Sequence, residues 1–292
     1  MSLFTKTQHQ YFASDQDIPF DGSEESEYFC ALFRIDKKAT KKALAYTRLT
    51  FDKKNLLKKK ETFFEGELDE ERALTPEEHR FTLTDYPVHT PGHFFNDPNG
   101  LHQMGGEAPG SMKLPSLKGT PVVYWGFVNH QDPTFSWLGT DLHLICPIFL
   151  SLEEFLYVDY SDPDKPVFLN KTVIEDTFDN PFDHINEASN VSYAAQKMRA
   201  EQNNIADHVE GSKGYAGVPD WDHEVLFPRC PKTNARMRFV MYSLGNGDCK
   251  LVSDSPEVIQ ETSEESLFFG DGKLHVFFNP DSKVAAYAAS YS

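Results

Sequence analysis

The stretch KGTPVVYWGFVNHQDP, residues 118–133, reads as a Gly/Pro turn, a strand of β-branched and aromatic residues, and a second polar turn. A similar pattern recurs as NARMRFVMYSLGNGD at 234–248. Each is preceded by a Gly-rich turn and a proline, in HQMGGEAPGSMKLP (102–115) and SKGYAGVPDWDHEVLFP (212–228). Each is followed by a Gly/Asp turn that runs into a strand with Leu-His at its centre, in SWLGTDLHLICPIF (136–149) and SLFFGDGKLHVFFNP (266–280). This repeat predicts two related, mainly antiparallel sheet halves.

Working outward, further strand-like runs are ALAYTRLTF (43–51), HRFTLTDY (79–86), DLHLICPIFL (141–150) and KLHVFFN (273–279), each bounded by Gly, Pro, Asn or Asp. One long helical pattern stands out, with Val191, Ala195, Met198 and Ile205 at helical spacing, and predicts a helix over about 185–208 that bridges the halves. A shorter helix is expected after Ser151, with Glu154 three residues on completing a capping box. The expected fold is therefore a β-rich α+β protein. Residues 1–92 form an N-terminal extension packed on a main unit at 93–292, whose first half covers about 93–170 and whose second covers about 211–292.

The segment KGYAGVPDWDHEVLFPRCPKTNARMRFVMYSL (213–244), closed by LFFGDGKLHVFF (267–278), resembles the YwqG-like family, a domain of unknown function. The family's Gly-Gly-x-Pro turn, Pro-x-Cys-Pro, Met-x-Phe strand and Gly-Asp turn correspond here to Gly217 to Pro219, Pro228 to Pro231, Met237 to Phe239 and Gly270-Asp271. Residues 102–150 resemble it more faintly, and 1–90 do not. Two departures stand out: Ala216-Gly217 replaces a pair of glycines, and Tyr242 replaces a glutamine common in the strand. The resemblance implies a β-rich α+β protein and no particular reaction.

Composition narrows the function classes. With 28 Lys and Arg against 45 Asp and Glu the chain carries −17, which argues against nucleic-acid binding by bulk charge. Positive charge concentrates between Arg34 and Lys60, where eleven basic residues face two acids, and the acidic run Glu65 to Arg72 follows at once. The first reading of that segment is a solvated basic face neutralised by its neighbours; the second is a patch for an acidic partner. No run of 18 apolar residues is present, and the N-terminus lacks the pattern of a signal peptide, so a cytoplasmic protein without membrane contact is expected. Cys30, Cys146, Cys230 and Cys249 are scattered singly, as free thiols rather than a zinc site or disulfide framework.

The stretch HFFNDPNGLHQ (93–103) resembles the one in which invertases and levanases carry their nucleophilic Asp. That chemistry needs further carboxylates, which the invertase-like family carries in Arg-Asp-Pro and Glu-Cys motifs, and both motifs are absent here. The preferred reading is a turn, with Pro98 presetting φ and Asn99-Gly100 taking positive φ. DYSDPD (159–164) lacks the Gly and Glu of an EF-hand and also reads as a turn. His184 and Glu187 sit three apart without further metal ligands. The densest mix of aromatic and ionisable side chains is Trp221, Asp222, His223 and Glu224, placed in the cleft between the repeats. Tyr124 adds a phenol that one face of the 122–127 strand would expose. These five residues are the binding candidates, in a non-enzymatic module for an unidentified protein or small molecule. No catalytic residue, metal or cofactor is assigned, nothing sets the oligomeric state, and the rival is a sugar hydrolase acting through Asp97.

Overall fold

The computed structural model describes residues 25–35, 42–52, 57–64 and 82–83 as backbone strands, and residues 92–148, 155–177, 186, 188–202, 211–216, 228–235, 237–244, 250–256 and 273–290 more fully. Two compact units emerge, Met1–His93 with Glu201–Phe227 and Phe94–Ala200 with Pro228–Ser292.

In the first unit, β1 (Glu25–Ile35), β2 (Lys42–Asp52), β3 (Leu57–Phe64) and β4 (Thr82–Leu83) form a sheet ordered β3-β2-β1-β4. Lys58, Lys59 and Lys60 of the basic run fall in β3, at one end of that strand order. The register sets Arg48 opposite Glu61 and Lys59 opposite Thr50.

The remaining strands are β5 (Gly92–Asn96), β6 (His102–Met104), β7 (Val122–Val128), β8 (Leu142–Pro147), β9 (Leu156–Asp159), β10 (Val167–Phe168), β11 (Val191–Tyr193), β12 (Gln196–Gln202), β13 (Ser212–Ala216), β14 (Arg238–Leu244), β15 (Leu251–Ser253), β16 (Lys273–Asn279) and β17 (Val284–Ser290). Eleven of them are hydrogen-bonded in the order β10-β9-β17-β16-β14-β13-β5-β12-β6-β7-β8, and β11 pairs with β15 apart from that sheet.

This corrects the expected α+β fold with two sheet halves and a bridging helix. Among the described residues the helices are a 3-10 helix at Pro133–Leu138 and α1 at Lys171–Thr177. The segment expected to bridge is two strands instead. Val191 lies in β11, and Met198 lies in β12, where Lys197 and Arg199 are exposed on either side of the buried Met198. Gln, Lys, Met, Arg, Ala and Glu are good helix formers, but the ladder Gln196↔Met104, Lys197↔Gln103, Met198↔His102 overrides that propensity by burying Met198 in the sheet core. Ile205 and His208 lie outside the described residues, as do Ser151 and Glu154; Leu156–Asp159, just beyond them, is strand β9 rather than helix.

Strand β17, VAAYAAS, has a composition of low strand propensity. It forms because β16 pairs along one side of it and β9 along the other, where Ala285, Ala286 and Tyr287 are fully buried.

The repeated motif leaves a trace in the second unit. In β7·β8 a bulge falls between Tyr124 and Gly126, after which Phe127 pairs with His143 and Val128 with Leu142. In β14·β16 a bulge falls between Phe239 and Met241, after which Tyr242 pairs with His275 and Ser243 with Leu274. The two ladders thus share their register around the bulge. They differ in their neighbours: β16 is flanked by β17, whereas β8 stands last among the described strands of the sheet.

The β8 edge is blunted. Pro147 has no N–H, and the Ile145 N–H is bonded to the Tyr287 hydroxyl at 3.2 Å, which is itself 2.9 Å from the Tyr160 hydroxyl.

Candidate functional site

Antiparallel partners share a face, so register alone assembles a row of side chains across four strands. Lys197 of β12 is opposite Gln103 of β6, Gln103 is opposite Phe127 of β7, and Phe127 is opposite His143 of β8. Their neighbours Met198, Met104, Val128, Leu142 and Leu144 are buried on the other face. Lys197 is exposed, and Gln103, Phe127 and His143 are half-buried, so this face reaches solvent.

Local structure fixes each member. The Lys197 Nζ stands 5.0 Å from the Phe127 ring centre, within cation–π range. Gln103 donates from its amide to the Gly105 carbonyl at 3.0 Å, across a turn in which Gly105 and Gly106 take φ of 63° and 91°. The His143 ring centre lies 5.9 Å from that of Phe127.

Tyr124, expected on an exposed face, is buried, and its hydroxyl lies 2.8 Å from His143 Nδ1. Burial first, and then the nearby Asp141 carboxylate, push the phenol well above its ordinary range, so it keeps its proton. Nδ1 of His143 is the partner for that proton, and burial holds His143 below the ordinary histidine value. A neutral imidazole that accepts at Nδ1 carries its own proton on Nε2. Asp141 is engaged at the adjoining turn: its Oδ1 accepts from the His130 backbone N–H at 3.1 Å and lies 2.8 Å from His130 Nδ1.

Beneath the row, on the buried face, His102 acts as a structural clamp. It accepts the Asn129 N–H at Nδ1 (3.1 Å) and donates from Nε2 to Asp132 (3.1 Å). The other Asp132 oxygen caps the 3-10 helix at the Thr134 N–H (2.8 Å). The rings of Phe94 and Phe135 stand 5.2 and 5.1 Å from the His102 ring. The clamp ties β6 to the β7–β8 connection, and sequence reading missed it because its parts are 30 residues apart.

Of the other sequence candidates, Trp221, Asp222, His223 and Glu224 lie outside the described residues. Asp97 forms a turn closed by the Gly100 N–H on its own carbonyl at 2.8 Å. Its carboxylate accepts the Asn99 N–H (2.8 Å) and Arg199 Nε (3.0 Å), and those two contacts, the backbone one foremost, hold it below the usual carboxylate range. One detail differs from expectation: neither Asn99 nor Gly100 takes positive φ. Glycine is required at 100 because a side chain there would strike the Met198 carbonyl.

A buried pair in the first unit, His93 and Ser212 at 3.2 Å, resembles a nucleophile with its base, but the Ser212 hydroxyl donates to the Gly214 carbonyl at 2.8 Å. The serine proton is thus directed away from the histidine. Cys146 and Cys230 are free and buried. Among the described residues no three His, Cys, Asp or Glu side chains gather to hold a metal ion, and no helix is long and apolar enough to cross a membrane.

Comparison with family models, with curated proteins and with solved structures finds no match to this chain.

Proposed function

We propose that the protein is a non-enzymatic binding module that takes a ligand or partner on the open face of β12, β6, β7 and β8. The observation that carries this reading is the row Lys197–Gln103–Phe127–His143: a cation, an amide, an aromatic ring and an imidazole side by side on one accessible sheet face. Such a set offers a cation, hydrogen bonds and a stacking surface to a bound molecule. Asp97 as a hydrolytic nucleophile gains no support, since its carboxylate is used to shape a turn.

The test is a thermal-shift screen of organic anions, neutral sugars, nucleotides and short peptides, with wild type and the Phe127→Ala/His143→Ala double variant in parallel. A ligand present at a hundred times its Kd stabilises the folded state by about 2.7 kcal/mol, a readily measured rise in Tm. At least one class is expected to raise Tm of the wild type and not of the variant. A screen in which nothing shifts the wild type, or in which the folded variant responds equally, refutes the placement.

A further inference from the structure

We propose that the Lys197–His143 row is a site for a small, flat organic monoanion, a carboxylate on an apolar body, seated across Phe127. This rests on the binding-module reading and gives that face its ligand class.

The argument starts from Lys197. In a chain of net charge −17, with 45 acidic residues, this lysine forms no ion pair among the described residues and instead stands over the Phe127 ring at 5.0 Å. It is a cation held on an apolar surface with its counter-charge unmet. Across the same ring is His143, whose Nδ1 is occupied by the Tyr124 hydroxyl at 2.8 Å. That bond orients the imidazole and leaves Nε2 as its N–H donor. Cation and donor are 5.0 and 5.9 Å from the ring centre, measured to Nζ and to the imidazole centre. Both groups therefore stand beside the same ring, and a carboxylate that pairs with the Lys197 ammonium or takes the Nε2 proton leaves its flat apolar body against Phe127.

The charge of the ligand follows from the same inventory. The row holds one full cation and one neutral donor, which match a single negative charge; a phosphate dianion would leave a charge uncompensated beside the Asp141 carboxylate. Asp141 is turned toward His130, which supplies two contacts to its Oδ1. Gln103, pinned by the Gly105 carbonyl, lies between Lys197 and Phe127 and supplies amide contacts to the ligand's edge.

The closing experiment titrates uniformly 15N-labelled full-length protein with benzoate, benzamide and benzylamine, following the His143 imidazole nitrogens and the amides of Phe127, Lys197 and Gln103. Benzoate is expected to move these signals saturably. Lys197→Met should weaken it roughly three- to fivefold, the scale of one exposed ion pair, and Phe127→Ala should abolish it with the rest of the spectrum retained. Because Phe127→Ala removes a half-buried ring, the exposed Lys197→Met change keeps the test valid if the first variant unfolds. If benzamide or benzylamine moves the same signals as strongly as benzoate, or if Lys197→Met leaves benzoate unaffected, the monoanion assignment fails while the binding face stands. If none of the three probes moves them, the monoanion site is refuted; the face is then judged by the broader thermal-shift screen alone.

Discussion

Gly126→Ala is the substitution that most directly tests the β6–β7–β8 geometry on which the site depends. Gly126 lies just after the bulge, buried, at φ 120°, opposite Met104. An added Cβ would lie 2.8 Å from both the Gln103 carbonyl carbon and Met104 Cα, and closer still to the Gln103 oxygen. Ordinary contact begins near 3.4 Å, so the two carbons alone require β6 to retreat by about 0.6 Å and the closer Gln103 oxygen requires more, unless Gly126 abandons its φ. Retreat endangers the β6·β7 ladder and the neighbouring bond from the Gly105 N–H to the Trp125 carbonyl at 2.8 Å. A disallowed φ costs about 1–3 kcal/mol, and the loss of a ladder bond and of the Gly105 bond about 1 kcal/mol each, for a total of roughly 3–5 kcal/mol. With a urea m value of about 2–3 kcal/mol/M, the unfolding midpoint should fall by more than about 1 M. The assay is urea denaturation followed by circular dichroism, with Gly110→Ala as the control. Gly110 is exposed, has open space around its Cβ position and lies outside the left-handed region, so its midpoint should hold or rise slightly. A Gly126→Ala midpoint within about 0.3 M of wild type refutes the close approach of β6 and β7 described here.

Tyr287→Phe should cost about 1–3 kcal/mol, because it strips a buried backbone N–H at Ile145 and the buried Tyr160 hydroxyl of their shared partner; an unchanged urea midpoint would refute that role. Acid should destabilise the second unit through His102, which burial holds below its ordinary value of 6.5. The unfolded chain then binds this proton first, so the stability is fully present above about pH 6.5 and is lost as pH falls toward the folded-state value, by at most about 1.36 kcal/mol per pH unit for one proton. His102→Gln should flatten the decline between pH 7.5 and 5.5, and a wild-type midpoint equal at both pH values would contradict the clamp. Arg238→Lys should lose on the order of 1 kcal/mol, since the guanidinium carbon stacks 3.5 Å from the Trp137 ring centre and an ammonium cannot reproduce that contact; equal thermal midpoints would sink that estimate.

Strands β7, β8, β14 and β16 were legible because Val, Ile, Phe and Tyr are dense in them and Gly or Pro bounds them. Strand β16 matches its expected span, residues 273–279. Strands β12 and β17 were not legible, for opposite reasons. In β12 the residues are strong helix formers whose apolar members also fit a helical period, and only the pairing with β6 selects the extended form. In β17 the alanines carry little hydrophobic signal of their own, and they are strand because β16 and β9 pair with their backbone on both sides. Asp97 was readable as a turn from Asn-Asp-Pro-Asn-Gly, yet the reason for Gly100 was not, since it depends on Met198, distant in sequence. Of the five candidate side chains, Tyr124 alone is described, and its hydroxyl meets His143 from a buried position instead of facing solvent.

The matched ladders show why one arrangement is a candidate site and the other is core. Around its bulge each ladder places an aromatic ring before a histidine and another opposite it: Tyr124 and Phe127 about His143, Phe239 and Tyr242 about His275, with ring separations from 5.6 to 6.2 Å. Each also carries a lysine over the opposite ring, Lys197 over Phe127 and Lys273 over Tyr242. The difference is the next strand. Strand β17 pairs along β16, with Ala288 opposite His275, and His275 is fully buried. Among the described residues no strand follows β8, and Pro147 and the Tyr287 hydroxyl discourage one from adding, so His143 stays half-open. An imidazole at that margin needs a fixed orientation to be a useful donor, and Tyr124 supplies the hydroxyl that Phe239 lacks. The chemistry of the open copy therefore follows from two local features, a sheet edge that excludes a further strand and one phenol oxygen, and not from any motif contiguous in the sequence.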